Sequence, residues 1–193
     1  MQIGRYFGFV DLGVAVVIAV LVGLPSRPMY ASHVVKGDTA VQFSIALAEA
    51  RTIADPNDGR AVANLTRKLD EAGQKDWAID EAVRGSERAK TSPTLWQALL
   101  AASSAFVDRL DVIPGLDYAN RALSACRASR SATREGCPSW EEVRLSLYQQ
   151  SLDAGVRSGI DPRRDPRGFR KAQDRGMLQI HLTTHDTGSA SHP

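Results

Sequence analysis

A chain of 193 residues with 43 % hydrophobic and 24 % charged residues has room for one ordinary domain plus a short extra segment, and its composition is not that of a disordered chain. The formal net charge of +2 gives no electrostatic ground for a nucleic-acid partner. Aromatic residues amount to 6 %, and the abundant alanine, the best helix former, points to closely packed helices rather than a sheet.

After a leading segment of residues 1–6, the stretch Phe7 to Leu24 (FGFVDLGVAVVIAVLVGL) carries one charge, Asp11, and stops at Pro25. A membrane-spanning helix needs roughly 20 apolar residues, and the apolar part of a secretory signal roughly 7–15. The whole stretch fits the first length and the part from Leu12 fits the second. Retention as a signal-anchor is the preferred expectation, because Met29-Tyr30-Ala31 is a poor small-x-small cleavage site. Cleavage near Ala31 is the alternative. The expected localisation is therefore single-pass membrane with the remainder on the exported side, or secreted or periplasmic after cleavage. Asp11 would be costly deep in lipid and belongs near the headgroups. Residues 25–38, with Pro25, Pro28 and Gly37, read as a linker.

From Thr39 the apolar residues take up helical spacing. Val41, Ile45, Ala48 and Thr52 share a face, with Phe43 and Leu47 beside it, and the turn cluster Asp55-Pro56-Asn57-Asp58-Gly59 ends this first helix. A second helix is predicted from Arg60 to Ala72, with Ala61, Leu65 and Leu69 inward and Gly73 as its C-terminal cap. A third follows from Asp76 through Ile79, Ala82 and Val83 to Ala89, and stops before Ser92-Pro93. A fourth spans Thr94 to Leu110 with Trp96, Leu99, Leu100 and Phe106. A fifth runs from Pro114 to Ala125, followed by a Ser-, Arg- and Gly-rich loop, 127–138. A sixth opens at Ser139, with Glu141 and Glu142 in the first turn where the helix dipole favours them, and continues through Val143, Leu147, Tyr148 and Leu152 to Gly155 or Gly159. Six amphipathic helices joined by short turns predict an all-α fold built as a short α-solenoid over residues 39–155.

The run Leu65-Thr66, Leu69, Gly73, Ala78-Ile79 and Ala82 resembles a tetratricopeptide repeat: a large and a small residue in the first helix, glycine at the turn, small residues in the second. A similar unit runs from Trp96 and Leu99 to Gly115, Tyr118, Ala122 and Leu123, with extra residues at its inner turn, and a third begins at Trp140, Val143 and Leu147. The resemblance implies a right-handed superhelix of helix pairs whose concave face binds peptides or protein segments. The family has no catalytic residues, and the positions named are packing positions. The polar positions on the first helix of each pair, Asn64, Arg67, Lys68 and Gln97, are the candidates for contact with a partner.

Cys126 and Cys137 flank the loop between the fifth and sixth helices and could close a structural disulfide if the domain is exported. The segment 156–180 is basic: Arg163, Arg164, Arg167, Arg170 and Lys171 form a candidate anion-binding patch, balanced against a plainer role as a solvated cap on which Phe169 docks. His181 and His185 stand four apart, but Thr183, Thr184 and the following Gly-Ser argue against a helix and hence against a metal site, and 181–193 reads as a disordered tail. Asn64-Leu65-Thr66 matches a glycosylation acceptor, but Leu65 is needed in the core. No catalytic constellation stands out, and no cofactor is expected. The leading expectation is a membrane-anchored interaction scaffold for another, membrane-associated protein. An accessory subunit or small enzyme with an anionic ligand in the basic segment, and a structural spacer in a cell-envelope assembly, are the alternatives.

Overall fold

The computed structural model describes residues 39–132 and 136–188. The chain divides after Asp38, so the stretch 7–24 and the linker 25–38 lie outside the described residues. The expected single-pass membrane localisation has to be corrected: among the described residues no helix is long and apolar enough to cross a membrane. The expectation rested wholly on the apolar run before Pro25, whereas every described helix carries regular polar positions.

The described residues are all-α. Seven helices follow one another: α1 (Thr39–Ala54), α2 (Gly59–Glu71), α3 (Lys75–Arg88), α4 (Leu95–Asp108), α5 (Val112–Ala132), α6 (Ser139–Arg157) and α7 (Pro166–Gly188). Each of α2 to α6 packs on its neighbours in sequence, and α2 also packs on α4. Two apolar clusters result. One joins Ala48, Leu65, Leu69, Ala78, Ile79 and Ala105. The other joins Trp96, Leu99, Ala122, Leu123, Leu145 and the two cysteines. Burial of side chains such as Leu69 and Leu145, each 1 % exposed, contributes about 1.5–3 kcal/mol apiece.

Close approach of the helices depends on missing side chains. A Cβ on Gly85 of α3 would lie 2.3 Å from Val62 Cγ1 of α2, and one on Gly115 of α5 would lie 2.7 Å from Val107 Cγ2 of α4. Gly155 of α6 receives the ring of Phe169, which is 5 % exposed. Phe106 and Tyr118 stack at 5.4 Å between α4 and α5, and Arg121 lies over the Tyr118 ring.

The helix ends follow local chemistry. Asp58 caps α2, its Oδ1 accepting from the Arg60 amide at 2.9 Å. Gly73, at φ 75°, closes α2, with the Gln74 amide donating to Leu69 O at 2.8 Å. Leu110 takes the same left-handed position after α4, at φ 65°.

Three stretches differ from the sequence expectation. α5 continues to Ala132, because its last turns are held from outside: Glu142 pairs with Arg127 and Arg130 at 3.0 and 2.6 Å, and Cys126 is bonded to Cys137, with Cα atoms 4.9 Å apart. On α6 the inward face is Leu145 and Leu152, while Trp140 and Val143 are 65 % and 59 % exposed. The same buried face includes Glu141, whose carboxylate is paired with Arg144 at 2.7 Å. Finally, the backbone of α7 stays helical to Gly188, through Thr183 and Thr184, where weak β-branched propensity is outweighed by continuation of an established helix.

Candidate functional site

α2 and α4 run in the same direction side by side. At their starts, Thr94 Oγ1 accepts from the Gly59 amide at 2.9 Å and donates to Asp58 Oδ1 at 3.1 Å. At their ends, Asp70 stands near enough to Asp108 for its charge to raise the Asp108 carboxyl. α6 supplies the third wall. Between them lies a groove of about 470 Å³. Trp96, Leu100, Ala101 and Ala105 give it an apolar floor, and polar groups from all three helices ring it.

Those polar groups are unevenly distributed. Arg60 and Arg67 come from α2 and Arg144 from α6. Arg67 donates to Asn64 Oδ1 at 3.0 Å, and Arg144 donates to the buried Glu141 at 2.7 Å. At the C-terminal ends of α2 and α4 the carboxyl of Asp108 titrates above its ordinary value. Desolvation is the larger cause and the Asp70 carboxylate the next, partly offset by Lys75. Lys75 Nζ donates to the backbone oxygen of Asp108 at 2.8 Å. Thr66 Oγ1 and Asp70 Oδ1, one turn apart on α2, are both buried without a hydrogen-bond partner. Thr66 is 3 % exposed and lines the groove. Buried polar atoms of this kind are few in folded proteins and call for a physical explanation.

Behind the groove, Tyr148 of α6 meets Ser103 of α4 at 3.2 Å, and Ser103 donates to Gly115 O at 2.7 Å. Burial raises the Tyr148 phenol above its usual range, opposed by its hydrogen bonding with Ser103 and Ser104. Tyr148 therefore remains protonated at neutral pH and ties α6 to the α4–α5 pair.

Of the four candidate contact residues, Asn64, Arg67 and Gln97 line this groove. Lys68 does not; its ammonium pairs with Glu71 at 2.6 Å. The basic residues near the C-terminus do not converge. Arg163 pairs with Asp111 at the start of α5, Arg164 with Asp161 at 3.6 Å, and Arg167 and Arg170 are exposed on α7. Lys171 lines a separate opening of about 820 Å³ between α6 and α7, together with Arg157 and Arg175. There Arg157 is paired with Asp153, and Gln150 Oε1 is buried without a partner. Among the described residues no group of three or more His, Cys, Asp or Glu side chains is arranged to hold a metal ion.

Sequence reasoning missed Thr66, Asp70, Asp108 and Arg144 as groove residues. The signal available was helical spacing: Arg60, Asn64, Arg67 and Asp70 fall at three- and four-residue intervals on one face of α2. Recognising the same stripe on α4 required knowing which faces meet.

No family model, curated protein or solved structure matches this chain.

Proposed function

We propose that this chain is a non-catalytic protein-binding scaffold: a short α-solenoid, similar to tetratricopeptide repeats, whose groove over α2, α4 and α6 takes a segment of another polypeptide. The observation that carries the reading is the composition of that groove. Its walls are the first helices of three successive pairs, α2/α3, α4/α5 and α6/α7, and they present apolar residues at the floor and polar groups at the rim. Support for stacked pairs comes from the packing order. α3 lies against both α2 and α4, α2 lies against α4, and α5 lies against both α4 and α6. Stacking of this kind leaves the first helices on one side. A groove of mixed character suits an extended peptide, whose backbone needs hydrogen-bond partners and whose side chains need both apolar and charged contacts.

The test is selection of a displayed random-peptide library against the full chain, followed by mapping of the selected peptides by NMR. Enriched peptides are expected to perturb Asn64, Gln97 and Ala101, and to lose binding when Ala101→Trp fills the floor. Peptides that map instead to the outer face of α3, around Arg84, or a library that yields no groove binder, would defeat the reading.

A further inference from the structure

One end of the groove has unmet chemistry. Asp70 and Asp108 put two carboxyls together at the last turns of α2 and α4, where the helix dipoles disfavour negative charge. Lys75 supplies one ammonium nearby, but its hydrogen bond goes to a backbone oxygen. Asp70 Oδ1 is buried with no donor, and so is the Thr66 hydroxyl beside it. Three separate features of the same few ångströms thus call for one thing: a cationic group carrying several N–H donors. A guest ammonium or guanidinium would neutralise the pair and, as either side chain turns toward the groove, donate to Asp70 Oδ1 or Thr66 Oγ1.

The opposite end has the reverse character. Arg60 stands there at the start of α2 and Arg144 in the early turns of α6, with Glu141 offsetting part of the charge, whereas Arg67 lies one turn from Asp70 and is paired with Glu71 at 3.8 Å. The ten residues from Arg60 to Asp70 span about 15 Å of helix. An extended polypeptide covers that distance in about four or five residues.

We propose that the Asp70–Asp108 end is a subsite for a lysine or arginine side chain of an extended peptide that also carries an acidic residue four or five positions away, held by Arg60 and Arg144. The proposal rests on the groove reading above and names the class of peptide that reading leaves open. Charge complementarity at both ends selects this occupant over a uniformly acidic or uniformly basic one.

The test uses fluorescence anisotropy with capped, labelled octapeptides on an alanine–leucine background. One carries Glu and Lys four positions apart; a second replaces Lys by Gln; a third replaces Glu by Gln. The full chain is compared with Asp108→Asn, Asp70→Asn/Asp108→Asn and Arg60→Gln, each checked for an unchanged helical circular dichroism spectrum. The Glu–Lys peptide is expected to bind the unaltered chain at least about 10-fold tighter than the Gln-for-Lys peptide, a ratio worth about 1.4 kcal/mol. That preference is expected to disappear in the double Asn variant and to weaken in Asp108→Asn, whose rim position leaves folding intact. Arg60→Gln should lower the preference for Glu and leave the preference for Lys. Equal binding of the Lys and Gln peptides to the unaltered chain, or a Lys preference retained by both Asn variants, overturns the subsite. If library peptides are blocked by Ala101→Trp yet are indifferent to the Asn variants, the groove reading stands and the cation subsite alone falls. If the Glu–Lys peptide does not bind at all, the subsite is overturned, and the groove reading is judged on the library selection.

Discussion

Thr94 Oγ1 and the Gly59 amide are hydrogen bonded at 2.9 Å across thirty-five residues of sequence. The bond joins the residue before α4 to the first residue of α2, so the starts of two parallel helices are held in one register. A Cβ at Gly59 would lie 2.1 Å from Thr94 O, a backbone atom with little room to move. Gly59→Ala is expected to cost about 3 kcal/mol, at the upper end for overpacking. Thr94→Val removes three hydrogen bonds, to Gly59, Asp58 and Ser92, while keeping shape and should cost about 1–2 kcal/mol. Urea melts monitored by circular dichroism give both values. If Gly59→Ala unfolds at the same urea concentration as the unaltered chain, the junction does not set the register.

Glu81 is 4 % exposed and pairs with Arg88, which is about one-third exposed. Its charge reaches α1 as well, where Glu49 is raised by burial and by Glu81. Arg88→Ala strands a buried carboxylate and should destabilise by about 2 kcal/mol, less than the 3–5 for a fully buried pair because water can reach the vacated side. Replacing both partners by Met should recover most of that loss. A double variant no better than the single one would assign the cost to lost packing of the arginine stem instead.

Leu110 occupies a left-handed position at the end of α4, with Asp111 N donating to Phe106 O at 2.9 Å and Leu110 N to Val107 O at 2.8 Å. Gly73 makes the matching pair of bonds after α2. A non-glycine residue in this conformation costs about 1–2 kcal/mol, and glycine returns about 0.5–1 of that as unfolded-state entropy. Leu110→Gly should therefore stabilise the chain by about 0.5–1 kcal/mol, and Gly73→Ala should destabilise it by about 1 kcal/mol. Opposite shifts in melting temperature are the check; a lower melting temperature for Leu110→Gly would mean that the half-exposed leucine contributes more by packing than it costs in strain.

Asp108 titrates above the ordinary aspartate value in the folded chain, from desolvation first and Asp70 second. The folded state thus holds this proton more tightly than the unfolded state. The associated stability is fully present below the ordinary value of 3.8 and is lost as pH rises through the raised folded value. Asp108→Asn should raise the melting temperature near neutral pH, and the gain should shrink toward zero as pH falls below about 4. A gain that is flat with pH would point to a packing effect of the amide.

Much of the helix order was legible because turn chemistry is local. Asp55-Pro56 through Gly59, Gly73 and Ser92-Pro93 each stop or start a helix by rules that involve only neighbouring residues. Leu65, Leu69, Trp96, Leu99, Ala122 and Leu123 were legible as interior residues, and all are buried. The face of α6 was not, since a buried Glu141 with its own arginine partner imitates an exposed position in sequence. Asn64, Arg67 and Gln97 could be named because they sit opposite the apolar stripe of their helices. Asp70 and Asp108 could not be paired from sequence, because their meeting depends on α2 and α4 lying parallel and in register. The basic residues after Gly155 looked like one patch along the chain, yet Arg163 turns to Asp111 and Lys171 to the α6–α7 opening.

Because α2 and α4 point the same way, their peptide dipoles add instead of cancelling. The positive pole falls by Gly59 and Leu95 and the negative pole by Glu71 and Asp108, in step with Arg60 at one end of the cleft and the aspartates at the other. The cleft therefore has a built-in sense of direction: a strand threaded one way meets favourable fields at both extremities, and the same composition written backwards meets none.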